Sequence, residues 1–207
     1  MPRARLSALR LLGLDRSGPP PPQTDSGAPL RPWTIPNAIS YARAVLIPVF
    51  LVLDYRSRSG TDTAAAICFF IAGAGDYADG IAARVTGQFS RLGAILDPAL
   101  DRTLALAGLA VCWSYELLPR WLVALVLARE ALVLLVGQAW VRRGLTLRIN
   151  WPGRIAVGPT LFGIWLALLG VRGVAEGFLL AGITLALLAT GYYFRDARRQ
   201  LRVSSSA

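Results

Sequence analysis

The chain has 207 residues, 55% of them hydrophobic and 16% charged, with a mean hydropathy of +0.50. That is too apolar for an ordinary water-soluble domain and indicates a polytopic membrane protein with one domain. The net charge of +10 points, in so apolar a chain, to a membrane surface and anionic phosphate substrates rather than to nucleic acid.

Residues 1–32 form a basic, proline-rich lead containing the run Pro19-Pro20-Pro21-Pro22, expected to be a disordered cytosolic segment. Its apolar stretch Leu6–Leu14 is too short, and too interrupted by Arg10, for a secretory signal core. The membrane domain is expected over 33–195 and a basic cytosolic tail over 196–207. Six spans are predicted: Trp33–Leu53, Thr63–Val85, Gly93–Leu118, Pro119–Val141, Arg154–Val171 and Val174–Phe194. The fold class is therefore all-α, a bundle of six transmembrane helices. Thr34 caps the first helix, whose first turn tolerates Pro36. Trp33 belongs at the membrane interface, and Arg43 must face protein or water rather than lipid. Cys68 and Cys112 each lie inside an apolar run and read as small buried hydrophobes, not as a disulfide or a zinc site.

All 22 basic residues are arginine, and their distribution supplies the orientation. The lead, the loop after the second span (Arg84, Arg91), the loop after the fourth (Arg142, Arg143, Arg148, Arg154) and the tail are arginine-rich. The alternate loops hold only Arg56 and Arg58, then Arg120, then Arg172. By the positive-inside rule both termini and the second loop are cytosolic.

Against this background Asp76, Asp79, Asp97 and Asp101 stand out. One Asp at mid-membrane costs about 2.5–3.5 kcal/mol on insertion scales. Gly87 is expected to stop the second helix and Ser90 to cap the third, which makes the two antiparallel neighbours across a short turn. Asp76 and Asp79 are i,i+3 on one helix, and Asp97 and Asp101 are i,i+4 on the next. Asp79 and Asp97 each lie nine residues from Gln88, and Asp76 and Asp101 lie twelve and thirteen away. At about 1.5 Å per residue the two pairs fall at matching depths. Four carboxylates at close quarters repel unless protonated or neutralised, and hard divalent cations neutralise them economically. Oxygen ligands without His or Cys favour magnesium or manganese, and four acids can hold two such ions about 3.5–4 Å apart, as phosphoryl chemistry uses. With histidine absent, a carboxylate, a tyrosine or a thiol must serve as general base. Gly80, Ala83 and Gly93 keep the lining narrow enough for a diphosphate or a neighbouring helix to approach. The uncharged runs beside the acids, Ala64–Gly75 and Thr103–Ser114, are well short of the roughly 20 residues needed to cross hydrocarbon. The site should therefore open to the cytosol near the interface.

The pattern Asp76, Asp79, Gly80, Ala83, Arg84, Gly93, Asp97, Asp101 resembles the signature of the CDP-alcohol phosphatidyltransferases, without departure. The likeness extends to Ile35-Pro36-Asn37, Ala128-Arg129-Glu130 and Gly153-Arg154, and covers most of the chain outside the lead and tail. It implies a six-helix bundle, often dimeric, in a bacterial cytoplasmic membrane, with a cytosol-facing dimetal site. It implies transfer of a phosphatidyl group from a CDP-linked lipid, CDP-diacylglycerol, to an alcohol, with release of CMP. By the same resemblance Asp76, Asp79 and Asp97 hold the metals, and Asp101 both contributes to the metal site and serves as base for the acceptor hydroxyl. Gly80, Ala83 and Arg84 would line the nucleotide site with Gly93 beside them. Arg154 would meet an acceptor phosphate, and Arg129 and Asn37 are further substrate-binding candidates.

Ile35-Pro36-Asn37 and Leu96-Asp97-Pro98 look like the glycerol-type branch, which makes phosphatidylglycerol phosphate or cardiolipin. Arg102 stands where the phosphatidylglycerol phosphate synthases usually carry Lys, and Ser90-Arg91-Leu92-Gly93-Ala94 resembles actinobacterial cardiolipin-forming relatives. Phosphatidylglycerol is therefore the acceptor slightly favoured over glycerol 3-phosphate. The competing class, an ion-coupled transporter, predicts acids spread over several helices and inverted repeats. An inactive scaffold predicts a lost motif Asp. A purely structural hairpin would leave Arg84 and Arg102 to balance four acids.

Overall fold

A computed structural model of the protein describes residues 27–142 and 151–204, with side-chain surroundings for 27–135, 157–191 and 195. Within them it is all-helical: α1 (Ile35–Ser57), α2 (Thr63–Thr86), α3 (Arg91–Ser114), α4 (Arg120–Arg142), α5 (Trp151–Leu168) and α6 (Arg172–Ser204). Among the described residues three stretches are long and apolar enough to cross a membrane, Ile35–Ser57, Thr63–Thr86 and Arg172–Gly191, and Val157–Leu168 is a shorter apolar helix. Many large apolar side chains point outward, among them Val45, Val49, Ile67, Phe70, Ile71 and Leu135. Water would penalise such a surface and lipid does not.

The helices stop where the chain turns left-handed. Gly87 (φ 67°) ends α2, Glu116 (φ 53°) follows α3 and Gly170 (φ 78°) follows α5. Leu117 N–H donates to the Cys112 carbonyl at 3.0 Å, and Val171 N–H to the Leu166 carbonyl at 2.9 Å. These are matching bonds of the kind that close a helix behind a left-handed residue. Only glycine takes that conformation without strain, which is why the third span was expected to run to Leu118 but stops at Ser114. Conversely α6 continues to Ser204, into the segment expected to be a tail. The lead before residue 27, Arg143 and Arg148 lie outside the described residues.

The chain packs as two units, α1 and α2 with α3 as far as Ala107, and residues 57–63 with the rest of α3 and α4 to α6. In the first, Ile47, Phe50, Ala65, Ala66, Phe69, Ala72 and Leu104 are buried, and Phe50 meets Phe69 edge to face at 5.3 Å. Cys68 is half-buried there. In the second, Cys112 is buried with Leu122, Val123, Ile164, Leu168 and Leu179. There α5 and α6 form a close hairpin with Phe162 edge-on to Phe178 at 4.8 Å. A Cβ on Gly182 would stand 2.4 Å from Thr160 Oγ1 and 2.9 Å from its backbone nitrogen, whereas one on Gly177 would meet nothing within 4 Å. Gly182→Ala should therefore destabilise the protein by about 1–3 kcal/mol, while Gly177→Ala leaves it unchanged or more stable. Thermal unfolding in detergent micelles measures the contrast.

Candidate active site

The turn between α2 and α3 is fastened from both sides. Ser90 Oγ accepts the Gly93 N–H at 3.0 Å, the expected N-cap of α3. Gln88 Oε1 accepts the N–H of Ile35 at 3.0 Å, which brings the first residue of α1 to the turn. Thr34 Oγ1 accepts from Asn37 N–H at 3.3 Å, so the expected cap of α1 forms as well. Asn37 is fully buried. Its amide nitrogen donates to the carbonyls of Arg31 and Pro32 at 3.0 and 3.1 Å, and its Oδ1 accepts from Ser90 Oγ at 2.9 Å. Expected among the substrate-binding residues, Asn37 has both ends of its amide occupied by protein and joins the approach to α1 to the α2–α3 turn. Gly93 leaves room for that joint: a Cβ there would lie 2.9 Å from Asn37 Oδ1.

Beyond the joint, α1 runs along the acidic hairpin and presents one polar residue per turn. Asn37, Ser40 and Arg43 are buried on the face that continues into Ile47 and Phe50, a spacing of three to four that keeps them in line. Ser40 Oγ lies 3.4 Å from Asp79 Oδ2 and 3.3 Å from Asp97 Oδ1, and 3.2 Å from the Pro36 carbonyl, alternative acceptors for its one proton. One turn on, Arg43 Nη1 donates to Asp76 Oδ1 at 3.4 Å and Asp79 Oδ2 at 3.1 Å, and Nη2 to Asp101 Oδ1 at 2.5 Å. The depth matching expected from chain arithmetic is thus present. Asp79 and Asp97 share the level of Ser40, while Asp76 and Asp101 share that of Arg43. Exposure grades across the group, with Asp79 at 4%, Asp101 at 29% and Asp76 at 46% of the side chain. One side of the cluster is sealed and the other is open.

Arg43 pairs with three of the acids, Asp76, Asp79 and Asp101. Arg102 is exposed, and Arg84 is half-buried on α2, its guanidinium 3.4 Å from where a Cβ on Gly80 would be. Ala83 is half-buried beside it. The sequence required only that Arg43 avoid lipid, and Ser40 drew no attention. The available signal was the three-residue spacing Asn37, Ser40, Arg43 in phase with Ile47 and Phe50. In the second unit, Arg129 pairs with Glu130 on its own helix, and its Nε is buried with no hydrogen-bond partner among the described residues. Arg154 lies in the first turn of α5, with its side chain outside the described ones.

Each of the four carboxylates has one oxygen engaged: Asp76 Oδ1, Asp79 Oδ2, Asp97 Oδ1 and Asp101 Oδ1. An all-carboxylate donor set suits hard divalent cations. Among the described residues no three acidic side chains stand around one point closely enough to hold an ion.

The family model for the CDP-alcohol phosphatidyltransferases matches residues 33–191. The chain belongs to that family. It is similar to a cardiolipin synthase (CMP-forming) of Streptomyces coelicolor, 35% identical over 190 residues, 86% of this chain and 88% of the relative. A putative cardiolipin synthase of Mycobacterium tuberculosis is 32% identical over 164 residues, covering 79% of this chain and 78% of the relative. A CDP-diacylglycerol–glycerol-3-phosphate 3-phosphatidyltransferase of Bacillus subtilis is 30% identical over 149 residues, covering 66% and 77%. The protein is accordingly a membrane transferase of phospholipid biosynthesis that uses a CDP-alcohol donor and an alcohol acceptor, in a family generally dependent on divalent metal.

The joint at Asn37 predicts a structural phenotype. Asn37→Ala removes three hydrogen bonds from a fully buried position and strands the Ser90 hydroxyl, which should cost about 2–3 kcal/mol. The loss should appear as a lower thermal midpoint in micelles, a larger change than any in the KM for nucleotide lipid.

Proposed function

We propose that this phosphatidyltransferase moves the phosphatidyl group of CDP-diacylglycerol onto phosphatidylglycerol, forming cardiolipin and releasing CMP. The observation that carries the reaction type is the convergence of Asp76, Asp79 and Asp101 on Arg43 and of Asp79 and Asp97 on Ser40, which gathers all four carboxylates of the hairpin. Asp76, Asp79, Asp97 and Asp101 would hold two magnesium or manganese ions. Such ions, when bound, neutralise the diphosphate and the departing phosphate. The chain's own carboxylates do the rest. Asp101, partly exposed at the open side, accepts the proton of the acceptor hydroxyl. The hydroxyl oxygen bonds to the phosphatidyl phosphorus as the bond from that phosphorus to the bridging oxygen breaks, and CMP leaves with the bridging oxygen.

Gly80, Ala83, Gly93 and Arg84 are proposed to border the nucleotide, Arg154 to meet an acceptor phosphate, and Arg129 to support the same site. Asn37 would act on substrate through the turn it holds. Six spans in a bacterial cytoplasmic membrane, both termini inside, would put the α2–α3 turn at the cytosolic interface, where a lipid donor and a lipid acceptor both have access. A homodimer in the bilayer is part of this proposal. An ion-coupled transporter is not favoured, since the acids share one hairpin and the chain belongs to a transferase family.

The acceptor reading rests on Arg102 after the fourth motif Asp and on the cardiolipin synthases among the relatives. The second reading, glycerol 3-phosphate as acceptor, is favoured by the similarity to the Bacillus subtilis enzyme. Purified protein in liposomes with CDP-diacylglycerol and Mg²⁺ or Mn²⁺ separates them. Cardiolipin with CMP from added phosphatidylglycerol is expected. Phosphatidylglycerol phosphate from glycerol 3-phosphate would establish the second reading, and no CMP with either acceptor would sink both. Asp101→Asn should lower turnover by at least about 10²-fold while the protein keeps its melting temperature; retained turnover would remove Asp101 as the base.

A further inference from the structure

The guanidinium among the acids has no freedom to leave. Arg43 is 2% exposed, and its Nε donates to the Ala72 carbonyl of α2 at 2.8 Å. Its stem passes over Gly75 so closely that a Cβ there would lie 2.7 Å from both Cγ and Cδ. A counter-ion kept only until metals arrive would need an exit, and the backbone bond together with the glycine clasp removes one. The two Nη atoms then divide the work. Nη1 takes Asp76 Oδ1 and Asp79 Oδ2, and Nη2 takes Asp101 Oδ1.

We propose that Arg43 is a permanent positioning residue, gripping one oxygen of Asp76, Asp79 and Asp101 and thereby presenting the other oxygen of each to metal and acceptor. The inference rests on the reading of the hairpin as a metal site. Three carboxylates on two helices have many rotamers, and mutual repulsion would splay them. A fixed planar fork selects one arrangement and lowers the repulsion with a charge that is never released. Lysine in its place would keep the charge but could reproduce neither the three directed bonds nor the tie to Ala72. Ser40 does the corresponding work one turn below for Asp97 and Asp79. The arrangement follows the general rule that the groups hydrogen-bonded behind metal ligands orient them and tune their affinity.

The test measures Mn²⁺ binding by electron paramagnetic resonance on substrate-free protein in nanodiscs, with thermal unfolding in EDTA alongside, for wild type, Arg43→Lys and Gly75→Ala. Gly75→Ala keeps every charge and pushes only the arginine stem. Both variants should weaken Mn²⁺ binding by about 10–100-fold and lower kcat over a similar range, with the KM for CDP-diacylglycerol changed by no more than about twofold if Arg43 acts by orienting the acids. Folded Arg43→Lys with wild-type Mn²⁺ affinity overturns the positioning role. If that variant does not fold, wild-type affinity in Gly75→Ala overturns it instead. Failure of both variants to fold assigns Arg43 to folding alone and overturns it equally. A wild-type protein that binds no Mn²⁺ overturns the metal reading itself, whereas equal binding by all three proteins overturns only the role of Arg43.

Discussion

A buried arginine surrounded by carboxylates is the constraint on which the first unit depends. Burying an ion pair yields little net stability, because desolvation offsets most of the attraction, yet removing one partner typically costs about 3–5 kcal/mol. Such a cluster specifies more than it stabilises. Arg43 can satisfy Asp76, Asp79 and Asp101 together only when α1, α2 and α3 hold one rotation and one axial offset. An apolar interface of alanine and leucine would tolerate sliding by a turn; this one would leave a charge unpaired.

The other polar contacts of α1 serve the same register. Gln88 meets the N–H of Ile35, Asn37 meets Ser90, Ser40 meets Asp79 and Asp97, and Arg43 meets the remaining acids. From Asn37 onward each contact is about one helical turn beyond the last, so α1 acts as a ruler laid along the hairpin from its turn inward. Small residues permit the close approach. Gly93 makes room for the Asn37 amide and Gly75 for the Arg43 stem. Two glycines whose signature or apolar surroundings suggest substrate access or simple helix packing are thus needed first by side chains of α1.

Phosphatidyl transfer needs acids that stay charged and oriented beside a membrane, and the exposure gradient reconciles these demands. Asp79 lies at the sealed side, held by both Ser40 and Arg43, and Asp76 and Asp101 lie toward the open side. A donor with a charged diphosphate and acyl chains can approach such an edge without its head group crossing hydrocarbon. The relatives divide between cardiolipin-forming enzymes and those that take glycerol 3-phosphate. That division is expected if the acidic hairpin governs the shared chemistry and other parts of the chain choose the alcohol.

Much of this was determined by sequence alone. Helix class, the turn at Gly87, the caps at Thr34 and Ser90, the matched depths of the four acids and the family signature are all local, depending on residue type, spacing and 1.5 Å of rise. The end of α3 was less legible, since a non-glycine residue at positive φ, Glu116, carries no local signal. The identity of the counter-ion was decided only by tertiary structure. Arg84 and Arg102 are nearer the acids along the chain, yet Arg43, thirty-three residues before Asp76, meets three of them. Which face α1 turns to the hairpin is a non-local outcome, set by the joint at Asn37 and the packing of Phe50 on Phe69. No spacing within α1 reveals what that face will touch.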